Sequence, residues 1–200
     1  MRSFKTTVMI LGPIAVAGGG IQNSAAVQAP GTRLPTHAEL TAALDAASAT
    51  GVNNGAIFSP ARMWAAVTNR TGIVTAVTKT TGSDPWQGSR VIAMQKANTG
   101  AAFSNNGLAL STANLNKAVQ PGGSLYGLQH SNPVDTHVAY KGSGSHFGTP
   151  NDPAIGKRIG GVNVFGGGLA LYHQKTGAVL GAIGVSGDSS CADHVIAWRM

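Results

Sequence analysis

The chain has a single cysteine, Cys191, so no disulfide can form within it. There is no CxxC pair either, which removes a thiol redox motif. Charged residues make up only 10% of the 200 residues, and only seven are acidic. Mechanisms that need paired carboxylates are therefore poorly supplied. Lys and Arg number 14, giving a formal charge of +7, but no basic run is longer than Lys157-Arg158. Scattered cations of this kind give no continuous stripe for a phosphate backbone, which argues against nucleic acid as the partner. Isolated cations suit a small acidic ligand better. No apolar run is long enough to span a bilayer.

Glycine is abundant instead, at 28 residues, and suits tight turns and close backbone approach. The length fits one domain with a real core. Residues 1–29 read as an export signal rather than as fold. Arg2 and Lys5 precede the short apolar stretch Val8–Ala17, and small residues follow from Gly18 to Ala26. Ser24-Ala25-Ala26 offers a cleavage point, with Val27-Gln28-Ala29 as a second. Its removal would leave a mature charge of about +5. The expected location is periplasmic or secreted.

Thr36-His37-Ala38-Glu39 is a capping box and opens a helix to about Ala49. Leu40, Ala43, Leu44 and Ala47 lie on one face of it, and Gly51 stops it. His37, in the first turn, is either a solvent-facing residue or a neutral imidazole with a nitrogen free to coordinate. Met63–Thr68 and Ile73–Thr78 form a hairpin across Asn69-Arg70-Thr71-Gly72. Asp84-Pro85-Trp86-Gln87 predicts the start of a second helix reaching about Phe103. Its C-terminal half is small: Ala97, Gly100, Ala101 and Ala102. Such a face either packs on a sheet or forms the wall of a flat ligand site. Ser111 caps a short helix over Thr112–Val119.

Val162–Phe165 and Leu169–His173 read as a hairpin joined by Gly166, Gly167 and Gly168. Val179–Ser186 is the longest strand, apolar or small on both faces, as in a strand covered on both sides. Asp188 or Ser189 caps a last helix. The whole predicts an α/β domain of the α+β type. It is a three-layer sandwich with one five-stranded antiparallel sheet and helices on both faces.

Three blocks in order, GSRVIAMQKANTGAAF, AVQPGGSLYGLQHSN and GGVNVFGGGLALY with GAIGVSGDSSCADH, closely resemble the GlcG/HbpS family of bacterial haem-binding-like proteins, related to the C-terminal part of PduO. The resemblance runs from about Thr36 to the end. It implies a profilin-like fold for residues 30–200, with 134–159 as an inserted loop rich in Gly, Ser, Pro and His. That loop reads as a surface segment, a lid over the neighbouring pocket or a cover for a subunit contact. The resemblance also implies a haem ligand, or a corrinoid as the alternative tetrapyrrole, and assembly into a homo-oligomer. No CxxCH occurs, so covalent haem attachment is excluded. A bound porphyrin needs a small-residue or apolar slot, cations for its carboxylates and an axial group for iron. The expected site lies between the second helix and the Leu125–Asn132 loop. Its residues are Arg90, Met94, Lys96, Tyr126, His130, Ser131, Asn132 and Arg158, with His130 as the metal ligand. His137 and His146 share the loop system, but their spacings match no tight zinc signature. An enzyme reading, haem degradation included, has less support. Gly184-Val185-Ser186-Gly187-Asp188 lacks the second Gly of a nucleophile elbow, and no His–acid pair accompanies Ser186.

Overall fold

The structure, a computed structural model, describes residues 31–52 and 55–200. The export signal expected at 1–29 lies outside the described residues. Helix α1 spans His37–Ala49, as the capping box predicts. The Glu39 amide donates to Thr36 Oγ1 at 3.3 Å, and the Thr36 amide donates to Glu39 Oε2 at 2.8 Å. Arg33 adds a bidentate pair to the same carboxylate, at 2.7 and 2.8 Å. With Arg33 hydrogen-bonded to it, the Glu39 carboxyl is held down at about 2. The predicted face, Leu40, Ala43, Leu44 and Ala47, is buried.

Strands β1 (Trp64–Asn69) and β2 (Val74–Lys79) form the expected antiparallel hairpin. A bulge after Val67 skips Thr75, so Val77 and Val74 both fall on the side of Ala66 while Ala76 falls on the side of Val67. Helix α2 spans Gly88–Phe103 and begins later than Asp84-Pro85 predicts. The Ser89 amide donates to the Trp86 carbonyl and the Arg90 amide to Gln87, a tighter turn than the α-helix makes. The Trp86 carbonyl also accepts from Trp64 Nε1 at 3.0 Å, a long-range contact that fixes this entry. Short α3 (Thr112–Leu115) and a 3-10 turn at Lys117–Val119 replace one continuous helix. Helix α4 (Thr136–Ala139) is a single turn. Strands β3 (Gly168–Tyr172) and β4 (Val179–Ser186) follow, then α5 (Ser190–Arg199), capped by Ser189 rather than Asp188.

The sheet has four antiparallel strands in the order β2-β1-β4-β3, not five. The missing one is Val162–Phe165, which enters no ladder. Side chains hold it instead: the Asn163 amide donates to Thr99 Oγ1 at 3.0 Å and the Phe165 amide to Asn163 Oδ1 at 3.1 Å. Val162 and Val164 pack with Leu115, Val119 and Leu128 in a small separate cluster.

Helices lie on both faces of the sheet. On one, Leu40, Leu44 and Ala47 of α1 and Ile196 and Ala197 of α5 pack against Met63, Ala65, Val67, Ala76, Ile183 and Val185. On the other, Val91, Ala93 and Met94 of α2 pack against Trp64, Ala66, Val74 and Val77, together with Ala139, Ala154 and Ile159 from the 134–159 segment. This segment also runs along β2. The Val74 amide donates to the Lys157 carbonyl and the Gly156 amide to the Val74 carbonyl, both at 2.8 Å. It crosses to α1, where the Gly148 carbonyl lies 2.9 Å from His37 Nε2. Gly148 has φ of +77°, and a Cβ there would lie 2.9 Å from the Trp64 ring, so both backbone and space require glycine.

Candidate functional site

The small face of α2 decides between the two readings offered for it. A Cβ placed on Gly184 of β4 would lie 2.0 Å from the Ala93 carbonyl oxygen, and one on Gly100 would lie 3.1 Å from the Ala182 Cβ. Helix and strand are therefore in direct backbone contact, and Ala93, Ala97 and Ala101 are buried in that seam. The small residues serve helix-on-sheet packing and leave no flat slot there.

The predicted site residues fall in three separate places. Arg90, Met94 and Lys96 are in the interior, each at most 1% exposed. Met94 belongs to the core under the 134–159 segment. Arg90 Nε donates to Asp152 Oδ2 at 2.8 Å, Nη2 donates to Asp152 Oδ1, and Nη1 donates to the Ala139 carbonyl at 2.7 Å. Its guanidinium lies 3.8 Å from the centre of the Phe147 ring. The Asp152 carboxylate also receives the Gly148 and Ala154 amides. Lys96 Nζ donates to Asp193 Oδ2 at 2.7 Å and to the Val185 carbonyl at 2.9 Å. Burial lowers the Lys96 ammonium and raises the Asp193 carboxyl, and in each case the partner's charge pulls back. Both cations are bound inside the fold and closed to a ligand's acid groups, and buried Met94 cannot reach one either. Here the structure corrects the sequence reading.

Tyr126, His130, Ser131 and Asn132 lie together on an exposed turn. Asn132 Nδ2 and Ser131 Oγ both donate to the Leu128 carbonyl, at 2.9 and 3.1 Å, which shapes the turn locally. Arg158 sits beside β2, its Nε donating to the Thr71 carbonyl at 2.8 Å. The 134–159 segment is docked through Arg90 and is not an open lid.

None of the predicted residues lines either of two recesses found among the described residues. One, of about 240 Å³, lies over the first turns of α2. Trp86, Ile92 and Phe165 form its apolar wall, and Ser89, Ser186, Asp188, Ser190 and Asp193 its polar side. Trp86 is 51% and Phe165 50% exposed, so two large rings stand half-exposed at its rim. The backbones beneath them are fixed: the Phe165 carbonyl accepts from Thr112 Oγ1, and Gly166 donates to Ser190 Oγ at 2.7 Å. Asp188 accepts from the Ile57 and Phe58 amides, at 2.7 and 2.9 Å, and so ties the 55–62 loop to this rim. Phe58 meets Trp86 edge-on at 5.0 Å.

His194 lies one turn beyond Ser190, and a Cβ on Gly166 would come within 2.9 Å of its own Cβ. Its Nδ1 is enclosed without a hydrogen-bond partner among the described residues. Burial, and then the Lys96 charge, lower its pKa, which favours the neutral ring. Sequence reasoning missed Trp86, Phe165 and His194 as site residues. The only signal for the aromatic pair was two large rings beside helix-cap and glycine positions. Among the described residues, no group of three His, Cys, Asp or Glu side chains is placed to hold a metal ion, and no helix is long and apolar enough to cross a membrane.

Comparison with known proteins identifies the family. A search of curated proteins finds no match. Among solved structures, the Klebsiella pneumoniae protein ORFY is 25% identical, over 82% of this chain and 83% of that one, with a TM-score of 0.51. A PduOC:heme complex is 24% identical, over 82% and 90%, with a TM-score of 0.55. A double mutant of HbpS from Streptomyces reticuli is 18% identical, over 94% of each chain, with a TM-score of 0.50. The latter two likenesses show a shared fold. The family model described as "Haem degrading protein HbpS-like" matches residues 36–200, from the α1 cap to the last residue, and the chain therefore belongs to the HbpS-like family.

Proposed function

We propose that the protein binds haem at the recess flanked by Trp86 and Phe165. The observation that carries this reading is the pair of half-exposed rings over an apolar wall, in a family whose description names haem. Flat aromatic side chains beside Ile92 suit the face of a macrocycle, and rings of this kind carry much of the energy of such contacts. The solved haem complex of the PduOC relative supports the same ligand class.

When bound, haem supplies an iron centre open to axial coordination and redox change. His194 is the residue we assign to that iron. Burial and the Lys96 charge lower its pKa and so favour the neutral ring, it follows the recess residues Ser190 and Asp193 along α5, and it carries an unpartnered ring nitrogen. Neither histidine lines the recess itself; His130, on its exposed turn away from α5, is the competing assignment. Ser89, Ser186 and Ser190 are the hydroxyls available to polar edges of the ligand. At about 240 Å³ the recess lies below the usual small-molecule range of about 300–1,000 Å³. One chain then encloses only part of the ligand, and a second copy laid over the rim would cover the rest. We extend the proposal to an exported homo-oligomer, acting in the periplasm or outside the cell as a haem carrier or sensor.

Titration of the full chain with haemin, followed at the Soret band, tests the reading. A saturable shift is expected, with affinity reduced about tenfold in Trp86→Ala and in Phe165→Ala, a factor worth about 1.4 kcal/mol. The coordination spectrum should change in His194→Ala and persist in His130→Ala. A flat titration, or full affinity in both ring variants, would overturn it. The family description also favours a second reading, degradation of the ligand. Loss of Soret absorbance with iron release on adding a reductant would establish it, whereas a stable spectrum marks a carrier or sensor.

A further inference from the structure

The other recess has a volume of about 590 Å³, within the range of small-molecule sites. Three pieces of chain enclose it. The last turns of α1 give Asp45, Ser48 and Ala49, the approach to β1 gives Pro60, Ala61 and Arg62, and the turn after β2 gives residues 80–84. Its apolar lining is small, Ala49, Pro60 and Ala61, so the space is not filled by side chains.

Two polar groups here are unused by the fold. Ser48 is 4% exposed, yet its hydroxyl is enclosed with no hydrogen-bond partner among the described residues. A buried hydroxyl without a partner is unfavourable and uncommon, and marks a place where something else completes the bond. Arg62 forms no hydrogen bond or ion pair with any described residue. Its guanidinium lies 5.5 Å from the centre of the Phe58 ring, a contact that orients it without neutralising it. Acidic groups line the recess too. Asp45 accepts from the Thr81 amide at 2.8 Å and from its hydroxyl at 2.6 Å, which leaves each carboxylate oxygen a further lone pair. Asp84 has one contact, from Gln87 Nε2 at 3.2 Å.

A free guanidinium selects a carboxylate, and two carboxylates lining the same recess repel a second anion and attract an ammonium. We propose that this recess binds a small zwitterion of the amino-acid class. Arg62 takes the carboxylate, Asp45 and Asp84 face the ammonium, and the Ser48 hydroxyl bonds to the part of the ligand that enters deepest. The site is separate from the Trp86–Phe165 recess, and its test does not depend on haem.

The experiment is an amide-shift titration of the labelled full chain with L-serine, with acetate and ethanolamine as single-charge controls. Thr81, Gly82 and Ser83 should shift saturably with L-serine and much more weakly with either control. Arg62→Gln should weaken binding about tenfold or more. Ser48→Ala should weaken binding as well, while raising the Tm of the ligand-free protein by removing the orphaned hydroxyl. A residue that only supported the fold would not move these two readouts in opposite directions. The proposal is overturned by the absence of shifts up to about 10 mM, where a site of ~1 mM affinity is nine-tenths filled. It is equally overturned by unchanged affinity in Arg62→Gln, or by acetate binding as tightly as L-serine.

Discussion

On one face of the sheet, α1 and α5 present Leu40, Leu44 and Ile196 to Met63, Val67 and Ile183; on the other, α2 presents Ala93, Ala97 and Gly100 to Ala182 and Gly184. The first face is held by branched and long aliphatic side chains. The second brings backbones into contact, and little aliphatic volume remains at the seam. There the fold places two buried cations on one helix. Arg90 ties α2 to the 134–159 segment through Asp152, and Lys96 ties it to α5 through Asp193. Apolar burial is non-directional, so it covers a face without choosing a partner. A buried ion pair is directional, and here each joins α2 to one distant segment, a placement the variants below test.

Removing one partner of a buried pair should have the largest effect. Asp152→Ala leaves the Arg90 guanidinium enclosed without its counter-charge, and a loss of about 4 kcal/mol is expected in denaturant unfolding. Limited proteolysis should then cut first within 134–159. The double variant Arg90→Met with Asp152→Leu should recover most of the loss, because it removes the orphaned charge. Recovery of stability without recovery of protease resistance would sharpen the contrast, separating docking specificity from stability.

A smaller effect is expected on the aliphatic face. Leu44→Ala removes a fully buried side chain, and about 3 kcal/mol should be lost through transfer and cavity terms. Unfolding should remain one cooperative transition with no preferred cut site. Early cleavage in 134–159 in this variant would break the distinction between the two faces.

The smallest effect belongs to the α1 cap. The Glu39 carboxyl titrates at about 2 in the folded chain, below its ordinary value of 4.5. Its folded pKa is depressed, so its contribution is complete above about 4.5 and is lost as the pH falls from there towards 2. The side chain is 38% exposed, and solvent screening holds the contribution to about half a kcal/mol. Glu39→Gln should flatten that part of the stability–pH curve in acid melts. An unchanged slope would mean that Arg33 and Thr36 do not hold the charge.

The same contrast explains what could be read from the sequence. Helix α1, the β1–β2 hairpin and the two-sided strand β4 rest on signals a few residues apart, and they form as read. The ion pairs join residues 62 and 97 positions apart, and no local spacing reveals them. Arg90 and Lys96 therefore resembled free cations on an open helix. Val162–Phe165 has strand composition, but Asn163 and Thr99 draw it onto α2 instead of into the sheet. The start of α2 shifted for a similar reason, since Trp64 captures the Trp86 carbonyl. The aromatic recess was illegible because its walls come from three stretches of chain, around Trp86, Phe165 and Ser186.

The hydrogen bonds from 156–157 to Val74 have a further consequence for how molecules of this protein can meet. They occupy groups on the outer margin of β2 that a foreign strand would need, and Arg158 stands guard with a positive charge at the same margin. A neighbouring molecule seeking to extend the sheet meets Val74 already paired at the start of β2 and a cation beside it, which disfavours lateral growth from that end into a continuous ribbon.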